Sequence, residues 1–307
     1  MSKDTPYQRH TISIPVGDSF CTAWLHLPTG VRRPPVVVMG HGMGATREMR
    51  LDAYAERFAA RGIASIAFTY RNFGDSGGAH RQELNVKDQL LDWEEVLAHA
   101  RSREDVDGSR IAIWGTSFGG GHAITIASRH PELVAAVAQC PFTDGLLTAL
   151  HTSPAQSLRL QRLLIRDLVA TATRRDPVCL PLAGAPNDVA IMTAPDALPG
   201  YQSLVPAGGT FVNSTRARAI PRIIRYRPGR RTKNIQIPIL FCVSSTDTVA
   251  PAGPTLKYAH RAPRGIVQTY EAGHFDFYTG EPFEQLVAAQ TEFLAQHLSL
   301  QAAGGAR

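Results

Sequence analysis

Ser117 stands between two glycines in Gly115-Thr116-Ser117-Phe118-Gly119, directly behind the apolar run Ile111-Ala112-Ile113-Trp114 and directly before a helix-compatible stretch. Strand, tight turn and helix in that order lift a serine hydroxyl clear of a sheet. Glycines flank it because side chains there would meet neighbouring backbone. The pentapeptide alone is a weak signal, since glycine and serine are common in loops; the strand and helix beside it strengthen the signal. The chemistry it implies is nucleophilic attack on an acyl carbon.

A serine hydroxyl attacks well only when a base removes its proton and a third group orients that base. Asp247 closes Ser244-Ser245-Thr246-Asp247, after the apolar run Ile237–Val243, and His274 follows Gly273 just after a run ending at Tyr270. Both would emerge at the carboxyl ends of parallel strands, and the order Ser, Asp, His fits a serine turn of this kind. Ser117, Asp247 and His274 are therefore expected as nucleophile, orienting acid and base. Gly40-His41-Gly42-Met43-Gly44 follows another strand-like run. Its Met43 N–H, with the Phe118 N–H, is expected to receive the negative oxygen of the attacked carbonyl.

Other residues compete for these roles. Asp144 follows the run Leu133–Gln139 and is a second candidate acid; His41 and His122 are alternative bases for which structural roles are expected. Gly74-Asp75-Ser76-Gly77-Gly78 matches the serine motif of an all-β protease family only by coincidence, because this chain alternates strands with helices.

That alternation is what must carry the site. His10–Val16 and Phe20–Leu27 read as a hairpin. Strands are then expected at Val36–Met39, Ile63–Thr69, Ile111–Trp114, Leu133–Gln139, Ile237–Val243 and Gly265–Tyr270. Helices are expected at Arg47–Arg61, Asn85–Ala100, Phe118–Arg129 and Pro282–Leu298. Such a chain builds an α/β fold with a mostly parallel sheet flanked by helices. At 307 residues and 44% apolar content it is long enough for one sizeable core.

Between Thr143 and Gln236 the alternation stops. The expected organisation is a core of residues 1–143 and 237–307, with 144–236 inserted as a lid. Helices are read at Pro154–Thr173 and Ser214–Arg225, and Leu163, Leu164, Leu168, Ile191, Met192, Tyr201 and Phe211 are expected to cover the pocket. The insertion holds thirteen Arg or Lys against five Asp, net +8, so the rest of a chain of net +6 carries −2. No recognition motif accompanies this charge, so nucleic acid is not an expected partner. Met1–Thr11 lacks a secretory pattern, no apolar run approaches a membrane span, and the scattered Cys21, Cys140, Cys179 and Cys242 show no metal-ligand spacing. A cytoplasmic protein with no cofactor, metal or membrane partner is expected.

With these residues in hand, the chain resembles the α/β-hydrolase superfamily over most of residues 10–298. Thr69-Tyr70-Arg71-Asn72-Phe73-Gly74-Asp75-Ser76-Gly77-Gly78 looks like a stretch common among its esterases and peptidases. Trp114–His122, Gln139-Cys140-Pro141-Phe142-Thr143-Asp144-Gly145 and Gly184-Ala185-Pro186-Asn187-Asp188 are similar to fungal polyketide transferases and thiohydrolase-like relatives. The resemblance implies the triad Ser117, Asp247 and His274. The leading expectation is a serine hydrolase of a carboxylic ester or thioester of an apolar acyl group. Acyl transfer to an alcohol or thiol, with an acyl carrier or coenzyme A thioester as partner, is the alternative. A non-catalytic ligand-binding relative is the reading from another class.

Overall fold

The computed structural model describes residues 7–150 and 152–300; most of the N-terminal segment read as lacking a secretory pattern lies outside them. In chain order the elements are β1 (Tyr7–Val16), β2 (Ser19–Pro28), β3 (Val36–Gly40), α1 (Leu51–Ala60), β4 (Ala64–Phe68), α2 (Val86–Ser102), β5 (Ile111–Thr116), α3 (Phe118–Ala127) and β6 (Ala135–Gln139). Next come α4 (Gly145–Ala149), α5 (Pro154–Ala172), β7 (Cys179–Leu180), α6 (Ala197–Leu204), β8 (Thr215–Arg216) and α7 (Ala219–Arg225). The chain then returns through β9 (Ile239–Ser244), α8 (Ala252–Ala259), β10 (Gly265–Tyr270) and α9 (Gly280–Leu300).

Eight strands form one sheet in the order β1-β2-β4-β3-β5-β6-β9-β10. β1 and β2 make the expected hairpin and β2 meets β4 antiparallel; from β4 to β10 all neighbours are parallel. Strands β3, β5, β6 and β9 are buried at every position, so they read as unbroken apolar runs rather than alternating ones. The pleat divides them between two cores. Val36, Val38 and Ile113 pack with Trp93 and Ile124 from α2 and α3. Val37, Met39 and Ala112 pack with Tyr54 of α1 and Leu294 of α9 on the opposite face. Truncating a fully buried aromatic such as Trp93 typically costs about 3–5 kcal/mol.

The core elements match their expected positions to within a few residues. The differences are instructive at helix starts: Asn85 caps α2 from outside, its side chain accepting from the Lys87 N–H, whereas Asn85 was expected as the first helical residue. α1 begins at Leu51, because Arg50 before it stands at φ +70°, outside the helical region, while Arg47 forms a bidentate pair with Asp75. Between β6 and β9 the structure departs further. α6 forms between the two helices read in this segment, where none was expected, and the helix expected at Ser214–Arg225 starts only at Ala219, after the two-residue pairing of β8 with β7. α8 was not anticipated; Gly253 and Pro254 mask its apolar spacing.

Candidate active site

β5 ends in a backbone that only particular residues can follow. Ser117 has φ +55°, a strained conformation for a side-chain-bearing residue. A Cβ on Gly115 would lie 2.1 Å from the Gly119 carbonyl oxygen, and one on Gly119 would lie 2.4 Å from that of His41. Both glycines are therefore required by close backbone approach. Ser117 N–H donates to Gln139 O and its own carbonyl accepts from Phe142 N–H, so the turn is fixed from both sides by the loop after β6. Ser117 also precedes the first turn of α3, where the helix dipole favours negative charge.

Beneath the turn runs a chain of buried hydrogen bonds. Trp114 Nε1–H donates to Gln290, Gln290 Nε2 to Gln139, and Gln139 Nε2 to Thr116 Oγ1, which lies 2.6 Å from the Tyr278 hydroxyl. Every member is internally paired, which rigidifies the strand ends.

Asp247 and His274 meet across the ends of β9 and β10. His274 Nδ1 lies 2.7 Å from Asp247 Oδ2, with both side chains almost wholly buried. The other carboxylate oxygen of Asp247 accepts from Val249 N–H at 2.8 Å and Ala250 N–H at 2.6 Å, which fixes its rotamer. Nδ1 is thus engaged by the carboxylate. Burial alone would lower the His274 pKa; the adjoining Cys140 group and the Asp247 carboxylate outweigh it and hold it well above the ordinary imidazole value. Ser117 and His274 line one small cavity with His41, Tyr201 and Tyr278. Their side chains share no hydrogen bond in this conformation.

Met43 and Phe118 lie together on the wall of a larger cavity of about 90 Å³ that also reaches Ser117. Among the described residues neither of their backbone N–H groups finds a protein acceptor. The loop bearing Met43 is a tight turn closed by Ala45 N–H to Gly42 O, with Gly44 at φ +61°. Tyr201 of α6 reaches down to donate its hydroxyl to Met43 O at 2.7 Å and packs edge-on to Phe275, the neighbour of His274. This tie between the insertion and two site loops has no sequence motif to announce it.

The larger cavity is apolar. Phe142 and Val249 line it from the core; Leu160, Ile191, Met192, Ile220 and Ile223 line it from the insertion. Of the residues expected to cover the pocket, Ile191 and Met192 do so and Tyr201 faces the smaller cavity. Leu163 and Leu164 instead pack against Leu180 and Ile220, and Leu168 is exposed. The α5 register puts Leu160 on the cavity side, a choice that apolar spacing alone did not make.

The competing residues are accounted for. Asp144 Oδ2 accepts from Arg227 and from the Tyr258 hydroxyl, while Oδ1 caps α4. Burial would raise its pKa, but these partners hold the carboxyl below the usual range. His41 and His122 are fully enclosed, and desolvation lowers both to about 3; His122 sits between Tyr226 and Gln89. Ser76 is occupied as well, donating to Thr69 O and accepting from Thr22 N–H.

Cys140, at φ +33° just beyond β6, joins the His274–Asp247 pair, with one ligating atom from each of the three residues within 4.8 Å of the others. The donor types suit a cation. The 2.7 Å hydrogen bond between His274 Nδ1 and Asp247 Oδ2 already brings two of the three residues together, which accounts for the grouping without one.

Residues 32–180 match the model of a hydrolase family described as serine aminopeptidase, S33. The chain is 46% identical over 277 residues to the quorum-quenching protein AidA of Acinetobacter baumannii (strain MDR-ZJ06), covering 90% of this chain and 91% of that one. It is 24% identical to the thiohydrolase aneE of Aspergillus aculeatus, covering 88% of each. Among solved structures, that of DcsB with its substrate analogue aligns over 95% of this chain and all of the other, at TM-score 0.83 and 22% identity.

Proposed function

Because this chain belongs to the α/β-hydrolase family of enzymes, we propose that it cleaves a carboxylic ester or thioester through an acyl-Ser117 intermediate. Ser117 Oγ attacks the acyl carbon and its proton passes to His274 Nε2. Asp247 keeps the imidazole oriented and stabilises its charged form. The carbonyl oxygen, now negative, takes hydrogen bonds from Met43 N–H and Phe118 N–H. The leaving group departs with the proton from His274; water, deprotonated by the same base, then releases the acid.

The observation that carries this reading is the buried pair itself: His274 Nδ1 is held by the Asp247 carboxylate, and His274 lines the same small cavity as Ser117. Serine and imidazole share no hydrogen bond here, and the mechanism requires one to form with substrate, as catalytic hydrogen bonds commonly tighten only then. Residues 144–236 act in this reading as the lid, supplying most of the apolar wall around the acyl group. The relative named for quorum quenching makes small diffusible signal molecules the first substrates to try.

The test is a screen of p-nitrophenyl esters and acyl thioesters, with a fluorophosphonate probe for the nucleophile. Wild type should turn over and be labelled, and Ser117→Ala should do neither while keeping its thermal midpoint. Retained turnover in Ser117→Ala removes Ser117 from the chemistry.

A second reading is acyl transfer. It is favoured by one observation: the cavity beside Ser117 is walled mostly by apolar side chains, with Thr148 and Thr152 the polar exceptions, which disfavours water as the second nucleophile. Alcohol acceptors added during turnover would then divert product from the free acid to a new ester.

A further inference from the structure

Six of the eleven exposed large apolar side chains among the described residues fall within 146–169: Leu146, Leu150, Leu158, Ile165, Leu168 and Val169. Four of them belong to α5. Positions 158, 165 and 169 recur at seven- and four-residue intervals, so they share one stripe, with Leu168 at its side. That stripe points outward, since α5 buries only Asp167 and Ala170 on its inner side. A soluble protein scatters such side chains singly; a line of them on one helix marks a surface made to be covered.

What covers it is indicated by charge. Arg159, Arg162 and Arg166 lie on the same helix, exposed, and enter no ion pair among the described residues; Arg174 and Arg175 follow at its end. The one acidic residue of the helix, Asp167, is buried and consumed by Arg218. Two copies of this face pressed together would align their arginines against each other, which costs free energy. An anionic surface that accepts apolar side chains suits both features at once.

We propose that the outer face of α5 is an interfacial binding surface for anionic lipid, on which the protein lies while Leu158, Ile165, Leu168 and Val169 enter the headgroup boundary. No helix among the described residues is long and apolar enough to cross a membrane, so the attachment is from one side. Its consequence rests on the proposed function. Leu160, on the opposite side of α5, lines the cavity that reaches Ser117, so docking sets the wall of the acyl pocket beside a reservoir of apolar substrate.

The experiment is flotation of the full chain with vesicles of phosphatidylcholine alone or with one quarter phosphatidylglycerol, at low and high salt. Binding is expected only to the anionic vesicles and should weaken as salt rises. Ile165→Ser/Leu168→Ser/Val169→Ser should lose roughly tenfold or more of the partition coefficient. Arg162→Gln/Arg166→Gln should lose about fivefold per charge. Both variants should keep wild-type turnover of a short water-soluble ester, because none of these side chains lines the cavity. Equal binding to neutral vesicles, no binding to either, or an unaffected triple variant overturns the proposal. A wild-type dimer by light scattering that the triple variant dissolves also overturns it, and assigns the face to a second copy. Flotation reads the surface even if no ester is ever cleaved.

Discussion

Two carboxylates occupy matching positions in this molecule. Asp144 follows β6 and Asp247 follows β9, neighbouring parallel strands of one sheet. Each uses one oxygen to accept two backbone N–H groups of the following turn and offers the other to a side chain. Only the partner differs. Asp144 meets a guanidinium and a phenol, which hold it ionised and hand nothing on. Asp247 meets an imidazole that lines a cavity together with Ser117. The same local geometry is thus structural in one loop and, in the proposed mechanism, chemical in the other. What separates them is whether the partner can lose a proton near neutral pH.

Exchanging the two losses is the severest test of that contrast. Asp247→Asn should lower kcat by roughly 10⁴-fold, because an amide stabilises neither the tautomer nor the charged ring. Its thermal midpoint should barely move. Asp144→Ala should do the reverse, with kcat within a few-fold of wild type and a stability loss of about 1–3 kcal/mol from the abandoned partners. Matched kinetic and denaturation series on the two variants decide the matter. Similar activity losses in both would erase the distinction.

A smaller effect sharpens it. A raised His274 pKa means that the inactive imidazolium persists to higher pH, so kcat/KM should be low in acid and climb as pH rises through that pKa. The midpoint should stand above about 6.5 in wild type. In Asp247→Asn the residual activity should climb at lower pH, because the charge favouring the imidazolium is gone. A pH–rate profile that is flat from pH 5 to 9 with chemistry rate-limiting, or an unmoved midpoint in the variant, would detach His274 from Asp247.

How much of this could be read from the sequence follows the same division. The strands were legible because burial on both faces imposes unbroken apolar runs, and Ser117, Asp247 and His274 because they close such runs at the sheet's carboxyl edge. Asp247 was already preferred to Asp144, but the partners that occupy Asp144 were not legible. Arg227 and Tyr258 lie 83 and 114 residues beyond Asp144, and no local pattern announces such partners. Cys140 escaped notice for a similar reason, reading as one more small buried side chain until the fold set it against His274. The insertion was least legible. Apart from α5 its elements are short, the pairing of β7 with β8 spans two residues, and Leu160 rather than Leu163 or Leu164 lines the cavity through a helical register that tertiary contacts impose.

The gentlest test removes a single atom on the structural side. Tyr258 donates its hydroxyl to Asp144 Oδ2 at 2.6 Å, and its ring packs so closely on Gly229 that a Cβ there would lie 2.4 Å away. Tyr258→Phe keeps that packing and deletes only the hydrogen bond. Arg227 still holds the same oxygen, so the carboxylate is not abandoned, and the loss should be near the low end for a bond to a charged acceptor, about 1–2 kcal/mol. The denaturant midpoint should fall accordingly at unchanged slope, and kcat should stay within twofold. If kcat instead drops by orders of magnitude at unchanged stability, the loop after β6 takes part in the reaction. The partner of a carboxylate would then no longer suffice to tell scaffold from machinery in this fold.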